Sequence, residues 1–332
     1  MRAYPIIILT IALARARSAA GLELQVRSVA VTDSGAVASG PSVVINRIAA
    51  GPIRVTATAG GFVAGRIAPT AQGRKPSGAL PDTEIAVGSR DIARAWLSSP
   101  TVRYAHGMLG DAVEAEAVVV ELRDGSAVEF NVGPDAVIED RIPRLVDLDG
   151  DGRDKIMVVR SGMTLGAGLI LLGVEAGELV LKAEALPIGT AHRWLNPVGV
   201  ADFDGVREAA AVVTPHIGGR LQLYEWRGKT LTPDHAAGAE VGGFSNHVIG
   251  SRELDLADLD DDGVTDIVLP NAARSALVSV TFAGGKYRGL FRLALPHPVA
   301  TSLATRDLDG DGRPEIVFGL RDGTVMVVSA RP

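Results

Sequence analysis

"DLDGDGRPEIVFGL", residues 307–320, places three aspartates at alternate positions, breaks the chain with two glycines and runs straight into an apolar stretch. The pattern recurs as DLDGDGRDKIMVV from Asp147, DFDGVREAAAVV from Asp202 and DLDDDGVTDIVLP from Asp258. The first aspartates of the four copies are therefore 55, 56 and 49 residues apart. A fainter copy, LGDAVEAEAVVVEL, spans 109–122 and keeps Asp111 and Glu114. Recurrence at such a period is the mark of a repeat architecture. After each anchor come short β-rich runs, and the Asp-Gly pairs at 124–125 and 322–323 are hairpin signals.

A unit of this length with about four short strands matches a propeller blade, which buries its faces against its neighbours. The expected fold is all-β: a β-propeller of four-stranded blades, with five blades favoured and six or seven as alternatives. The last repeat runs out after Val328, one strand short. The stretch EIAVGSRDIARAW, 84–96, is the expected source of the closing strand. Within it, DIARAW at 91–96 is the one candidate helix.

Counted from its first aspartate, the loop carries acids at positions 1, 3, 5 and 9 and glycine at 6. In the third full copy these are Asp258, Asp260, Asp262, Asp266 and Gly263; in the fourth, Asp307, Asp309, Asp311, Glu315 and Gly312. Four carboxylates in nine residues repel one another unless a cation sits among them. Calcium, with six to eight oxygen ligands, suits such a loop. Glycine at 6 permits the sharp turn, and the carbonyl at position 7, Val264 or Arg313, is a further expected ligand. An EF-hand would need glutamate at position 12 and a following helix. Leu269 and Phe318 stand there, at the head of apolar β-type runs.

With those residues in hand, the region from about 100 to 332 resembles FG-GAP/VCBS repeats, the calcium-loop blades of integrin α-subunit heads and of many bacterial exported proteins. Of the family's FG portion only Phe318-Gly319 remains. The resemblance implies a β-propeller and structural calcium, and no single activity. The copies are unequal. Asp147, Asp149 and Asp151 are kept, but position 9 is Lys155, so this site is expected to bind far more weakly. In DFDGVRE the position-5 acid and its glycine are missing, and no tight calcium site is expected from Asp202, Asp204 and Glu208.

Forty-seven per cent of the 332 residues are hydrophobic, ample for a core. The net charge of −6 and the lack of basic runs argue against a nucleic-acid partner. With no cysteine, disulfides, zinc–thiolate sites and thiol nucleophiles are excluded. Residues 1–20 read as an export signal: Arg2, an apolar run from Ile6 to Ala14, and a small-residue cleavage site at Ser18-Ala19-Ala20. The chain is thus expected to be periplasmic or extracellular, with no membrane span. Residues 21–64 read as a β segment, an appendage or a degenerate blade, followed by a Gly/Pro-rich linker at 65–84 and the propeller at 85–332.

His192, His247 and His297 stand 10, 11 and 10 residues before their anchors. Equivalent blade positions share one face, so His192, Arg193, Asn196, Asn246, His247 and Arg252 are a candidate ligand mouth. The opposing reading is that these side chains tie loops to backbone carbonyls. Gly-x-Ser-x-Gly, HExxH and a Ser-His-Asp order are absent. Trp96, Trp194 and Trp226 read as core plugs. The functional expectation is an exported, calcium-stabilised binding or scaffold module for a protein or polymer ligand. The alternative is a hydrolase or lyase using the His/Arg/Asn mouth.

Overall fold

A computed structural model describes residues 10–17, 21–32, 40–46, 51–69, 74–237, 242–248, 251–252 and 255–331. The fold is all-β, and no helix occurs among the described residues. Two compact units are present: Gln72–Gly238, and Met1–Ala71 with Ala239–Pro332.

The unit Gln72–Gly238 is built from three antiparallel meanders, each matching one acidic anchor. The first comprises Ala86–Val87, Ile92–Thr101, Glu114–Leu122 and Ala127–Asn131. The second comprises Arg144–Val146, Lys155–Gly162, Gly166–Glu175 and Glu178–Glu184. The third comprises Leu195–Asp202, Arg207–Val213, Arg220–Arg227 and Thr230–Ala237. Strand Ala136–Ile138 stitches the first two together, and a single parallel bridge, Glu184 to Thr230, joins the second and third. Apolar side chains from adjacent meanders form shared layers. Ile92, Leu97, Val118, Ile156 and Ile170 make one cluster; Met157, Leu169, Trp194, Ala209 and Tyr224 make another.

The DIARAW stretch is strand here. Ile92–Thr101 pairs with Glu114–Leu122, burying Ile92, Ala95 and Leu97. A short apolar run with period near two and a β-branched start satisfies either pattern, and cross-strand pairing decides it. The linker residues 79–84 pack onto this unit. Leu80 is buried, and Leu97 N–H donates to Thr83 Oγ1 at 3.2 Å.

The other unit holds two such meanders. Asp255–Ala257, Asp266–Pro270, Ala276–Thr281 and Arg288–Ala294 form the first. Ala304–Arg306, Glu315–Gly319 and Val325–Arg331 begin the second, which Glu23–Val29 completes by pairing with Val325–Arg331. A strand from before residue 105 does close the C-terminal sheet, but it comes from 23–29 and not from 84–96, which belongs to the other unit. Alternating Leu24 and Val26 face the core there, beside Ile316, Phe318 and Val328. Thr10–Arg17 adds a fifth strand outside Glu23–Val29, while the rest of the expected export signal, with its cleavage site, lies outside the described residues. Val31–Thr32, Ser42–Ile45, Ile53–Thr58 and Gly61–Arg66 form a small sheet that shares a core with Val317, Val325 and Val327.

Candidate functional site

In the 147, 202, 258 and 307 copies the acidic loop joins the first strand of a meander to the second, and in the 258 and 307 copies its last acid opens that second strand. The turn is built by backbone donors. In the 307 loop, Gly310 and Gly312 N–H donate to Asp307 at 2.7 and 3.0 Å, and Arg313 N–H donates to Asp311 at 3.0 Å. Leu308 N–H donates to Glu315 at 2.9 Å, so position 9 is tied back to position 2. The 258 loop repeats this, with Gly263 N–H on Asp258 at 2.9 Å and Leu259 N–H on Asp266 at 2.8 Å. Positions 4 and 6 need left-handed backbone. Glycine fills both at 310 and 312, but in the 258 loop position 4 is Asp261, with φ of 60°.

Asp258, Asp260 and Asp262 offer oxygens within 4.8 Å of one another, as do Asp307, Asp309 and Asp311 and also Asp147, Asp149 and Asp151. The 258 loop shows the strongest strain of charge. Oδ1 of Asp258, Asp260 and Asp266 are all buried without a hydrogen-bond partner. Burial, with Asp260 and Asp262 adding to it, pushes the Asp266 carboxyl up to about 7. Burial and then Asp262 also raise Asp260, against the pull of Arg288 at 3.3 Å. Asp258 and Asp260, which carry two of these orphaned oxygens, belong with Asp262 to the group whose oxygens lie within 4.8 Å, and an unpaired buried polar atom is costly unless a hard cation meets it. In the 307 loop, burial raises Glu315, whose second oxygen accepts from Ser329 at 3.1 Å, and Arg331 holds Asp311 at 2.6 Å.

In the 147 loop, Lys155 Nζ lies 2.8 Å from Asp149 Oδ1 and 2.7 Å from Asp151 Oδ1, and 3.4 Å from the carbonyl of Arg153. These are positions 3, 5 and 7. The side chain that removes an anionic ligand thus brings its own cation to the same ligand set. Burial alone would lower the ammonium's pKa, but the hydrogen bonds to Asp149 and Asp151 raise it. Asp154 turns the other way, to Arg90 at 2.9 Å, as alternation along a strand requires.

The two remaining copies also place a buried acid near the start of the strand that follows the loop. Glu208 and Glu114 are 0% and 1% exposed, and both oxygens of each lack a hydrogen-bond partner. Burial pushes Glu208 to about 8 and Glu114 to about 9, with neighbouring carboxylates adding to each. The strand-start position is therefore Glu114, Lys155, Glu208, Asp266 and Glu315 across five meanders. Glu208, one of the acids that the sequence leaves in this copy, takes that place two positions early because the loop is two residues shorter.

The mouth residues are divided between the units. In Gln72–Gly238, His192 and Arg193 are exposed while Asn196 is buried. His192, with φ of 55°, stacks on Tyr104 at 5.0 Å, and its N–H donates to the Tyr104 hydroxyl at 2.8 Å. The His106 ring is 5.2 Å from that of His192, and its Nδ1 pairs with Glu139 at 2.5 Å. In the other unit, Asn246 and His247 are buried, and His247 pairs with Arg252 along the backbone. His297 is half-exposed, 3.6 Å from Asp322.

No protein-family model and no curated protein matches the chain. Among solved structures, it is similar to the exotype rhamnogalacturonan lyase YesX at 15% identity, covering 96% of this chain and 65% of that one, with a TM-score of 0.49. It is also similar to the WD40 domain of Toxoplasma gondii coronin at 10% identity, covering 92% and 80%, with a TM-score of 0.40. A third is the intramolecular trans-sialidase from Ruminococcus gnavus at 10% identity, covering 97% and 77%, with a TM-score of 0.39. All three scores are under 0.5, and the architecture described above stands on its strand pairings alone.

Proposed function

We propose that the protein is an exported, calcium-stabilised β-propeller of the FG-GAP/VCBS kind, a binding or scaffold module whose five meanders are its blades. One observation carries the calcium reading. In the 147 loop a cation, the Lys155 ammonium, sits against Asp149, Asp151 and the Arg153 carbonyl. The 258 and 307 loops have the same turn and the same acids, with no lysine at position 9. Asp258, Asp260, Asp262, the Val264 carbonyl and Asp266 would hold one ion; Asp307, Asp309, Asp311, the Arg313 carbonyl and Glu315 would hold the other. The ion neutralises the acids and fixes the start of the second strand.

Binding to the folded state alone adds stability by mass action, about 2.7 kcal/mol at a hundred times the dissociation constant. Thermal melts with calcium and with EGTA test this. Calcium is expected to raise the melting temperature, Asp260→Ala or Asp309→Ala to remove part of the rise, and Asp204→Ala to leave it unchanged. Superimposable melts with calcium and chelator would sink the assignment.

A further inference from the structure

The copy at Asp202 has lost the position-5 acid and two residues of loop, yet the structure gathers other ligands around it. His235, on the outermost strand Thr230–Ala237 of the same meander, brings Nε2 to 3.0 Å from Asp204 Oδ2 and 3.3 Å from Asp234 Oδ2. One ligand atom from each of the three lies within 4.8 Å of the others. Asp204 keeps its other oxygen for Val206 N–H at 3.1 Å, so the loop backbone aims Oδ2 at the imidazole.

Glu208 is a second, independent sign. It occupies the strand-start place of Asp266 and Glu315, is wholly buried, and has neither oxygen hydrogen-bonded. Its ionisation is opposed first by burial and then by Asp204 and Asp234. Glu225 is engaged by Arg227, and Asp202 accepts from Gly205 N–H at 2.6 Å. Asp204 and Asp234 thus face the His235 imidazole together.

We propose that Asp204, Asp234 and His235, backed by Glu208, form a site for a borderline divalent transition metal of the zinc class, distinct in chemistry from the calcium loops. The reason is donor type. An imidazole nitrogen with two or three carboxylates suits zinc, whereas calcium selects six to eight oxygens. Loss of the position-5 acid and of the position-7 carbonyl's place removes calcium ligands, and the histidine supplies a softer one. Asp204 is largely buried and His235 about a quarter exposed, so an ion has access from solvent.

The test uses the full chain stripped with EDTA. Melting temperature is read against micromolar ZnCl2 and, separately, CaCl2, and the visible spectrum is read with CoCl2. Zinc is expected to raise the melting temperature of the wild type reversibly, and cobalt to give visible d–d bands. His235→Gln and Asp234→Asn are expected to lose at least half of the zinc shift and most of the cobalt bands, while keeping the calcium response of the wild type. His216→Gln, an exposed histidine outside the cluster, is expected to keep all three. Melts in EDTA show whether each variant folds, and the two single variants fail independently. Absence of a zinc shift in the wild type, or an equal shift in wild type and both variants, overturns the site. A lost calcium response with zinc binding retained would instead count against the calcium loops alone.

Discussion

At the start of the second strand, the meander at Asp147 has Lys155 and the meander at Asp258 has Asp266. Lys155 carries its charge back into the loop and satisfies Asp149 and Asp151. Asp266 adds a carboxylate to a loop that already has four, Asp258, Asp260, Asp261 and Asp262, and Oδ1 of Asp258, Asp260 and Asp266 are left orphaned. The turns are alike in their backbone donors, for Gly152 N–H reaches Asp147 at 3.2 Å as Gly263 N–H reaches Asp258 at 2.9 Å. The backbone therefore does not determine whether a loop needs an ion. One residue does, and a repeat can trade a dissolved cation for a tethered one without changing its turn.

The largest effect is expected where that position has neither solution. Glu114 is buried with no tethered cation and only Asp111 left of the loop. Its folded pKa of about 9 lies above the ordinary 4.5, so the fold favours the protonated form. Stability is then full below the unfolded pKa and is lost as pH rises from about 4.5 towards 9, by at most about 1.4 kcal/mol per pH unit. Urea titrations from pH 5 to 9 are expected to show this slope, and Glu114→Gln to flatten it. An unchanged slope in the variant would show that this position is not the source.

Next in size is the direct break of the comparison. Lys155→Ala leaves Asp149 and Asp151 facing each other without a cation. Removing one partner of a buried pair costs about 3–5 kcal/mol, and the partial exposure of these aspartates puts the expected loss near or below about 3 kcal/mol in EGTA. Lys155→Glu is expected to lose as much in EGTA and to regain most of it with calcium, which the wild-type loop does not. Failure of calcium to separate Lys155→Glu from Lys155→Ala would end the equivalence of the two loops.

The smallest effect concerns position 4. Asp261 holds a left-handed backbone that Gly150 and Gly310 adopt freely in the sister loops. Asp261→Gly is expected to gain up to about 1 kcal/mol, offset in part by loss of an exposed ion pair with Arg313. Denaturant midpoints, with and without calcium, measure it.

The repeat itself was plain in the sequence, because acids and glycines at fixed offsets make a local pattern. The same pattern marks a boundary, for Lys155, Asp266 and Glu315 open their strands. What the residues did not disclose was long-range. His235 lies 31 residues beyond Asp204 on another strand, and no periodic signal links them. Lys155 read as a missing ligand, because a count of acids ignores where a flexible four-carbon stem can fold. The identity of the closing strand is hidden for a similar reason. Glu23–Val29 and Ile92–Thr101 alternate comparably, and only pairing with Val325–Arg331 separates them.

That pairing also bears on how the chain is made. Glu23 aligns with Arg331 and Val29 with Val325, so the strand made early waits for the strand made some three hundred residues later. Contacts of such separation slow folding, since the loop must close before the hydrogen bonds form. During synthesis the three meanders of Gln72–Gly238 can assemble from neighbouring segments as they emerge. The sheet that holds Glu23–Val29 cannot be completed until Val325–Arg331 has been made. Until then the edge of Glu23–Val29 that pairs with Val325–Arg331 is a row of unpaired backbone groups beside the apolar Leu24 and Val26, a stage at which a chaperone would have something to cover.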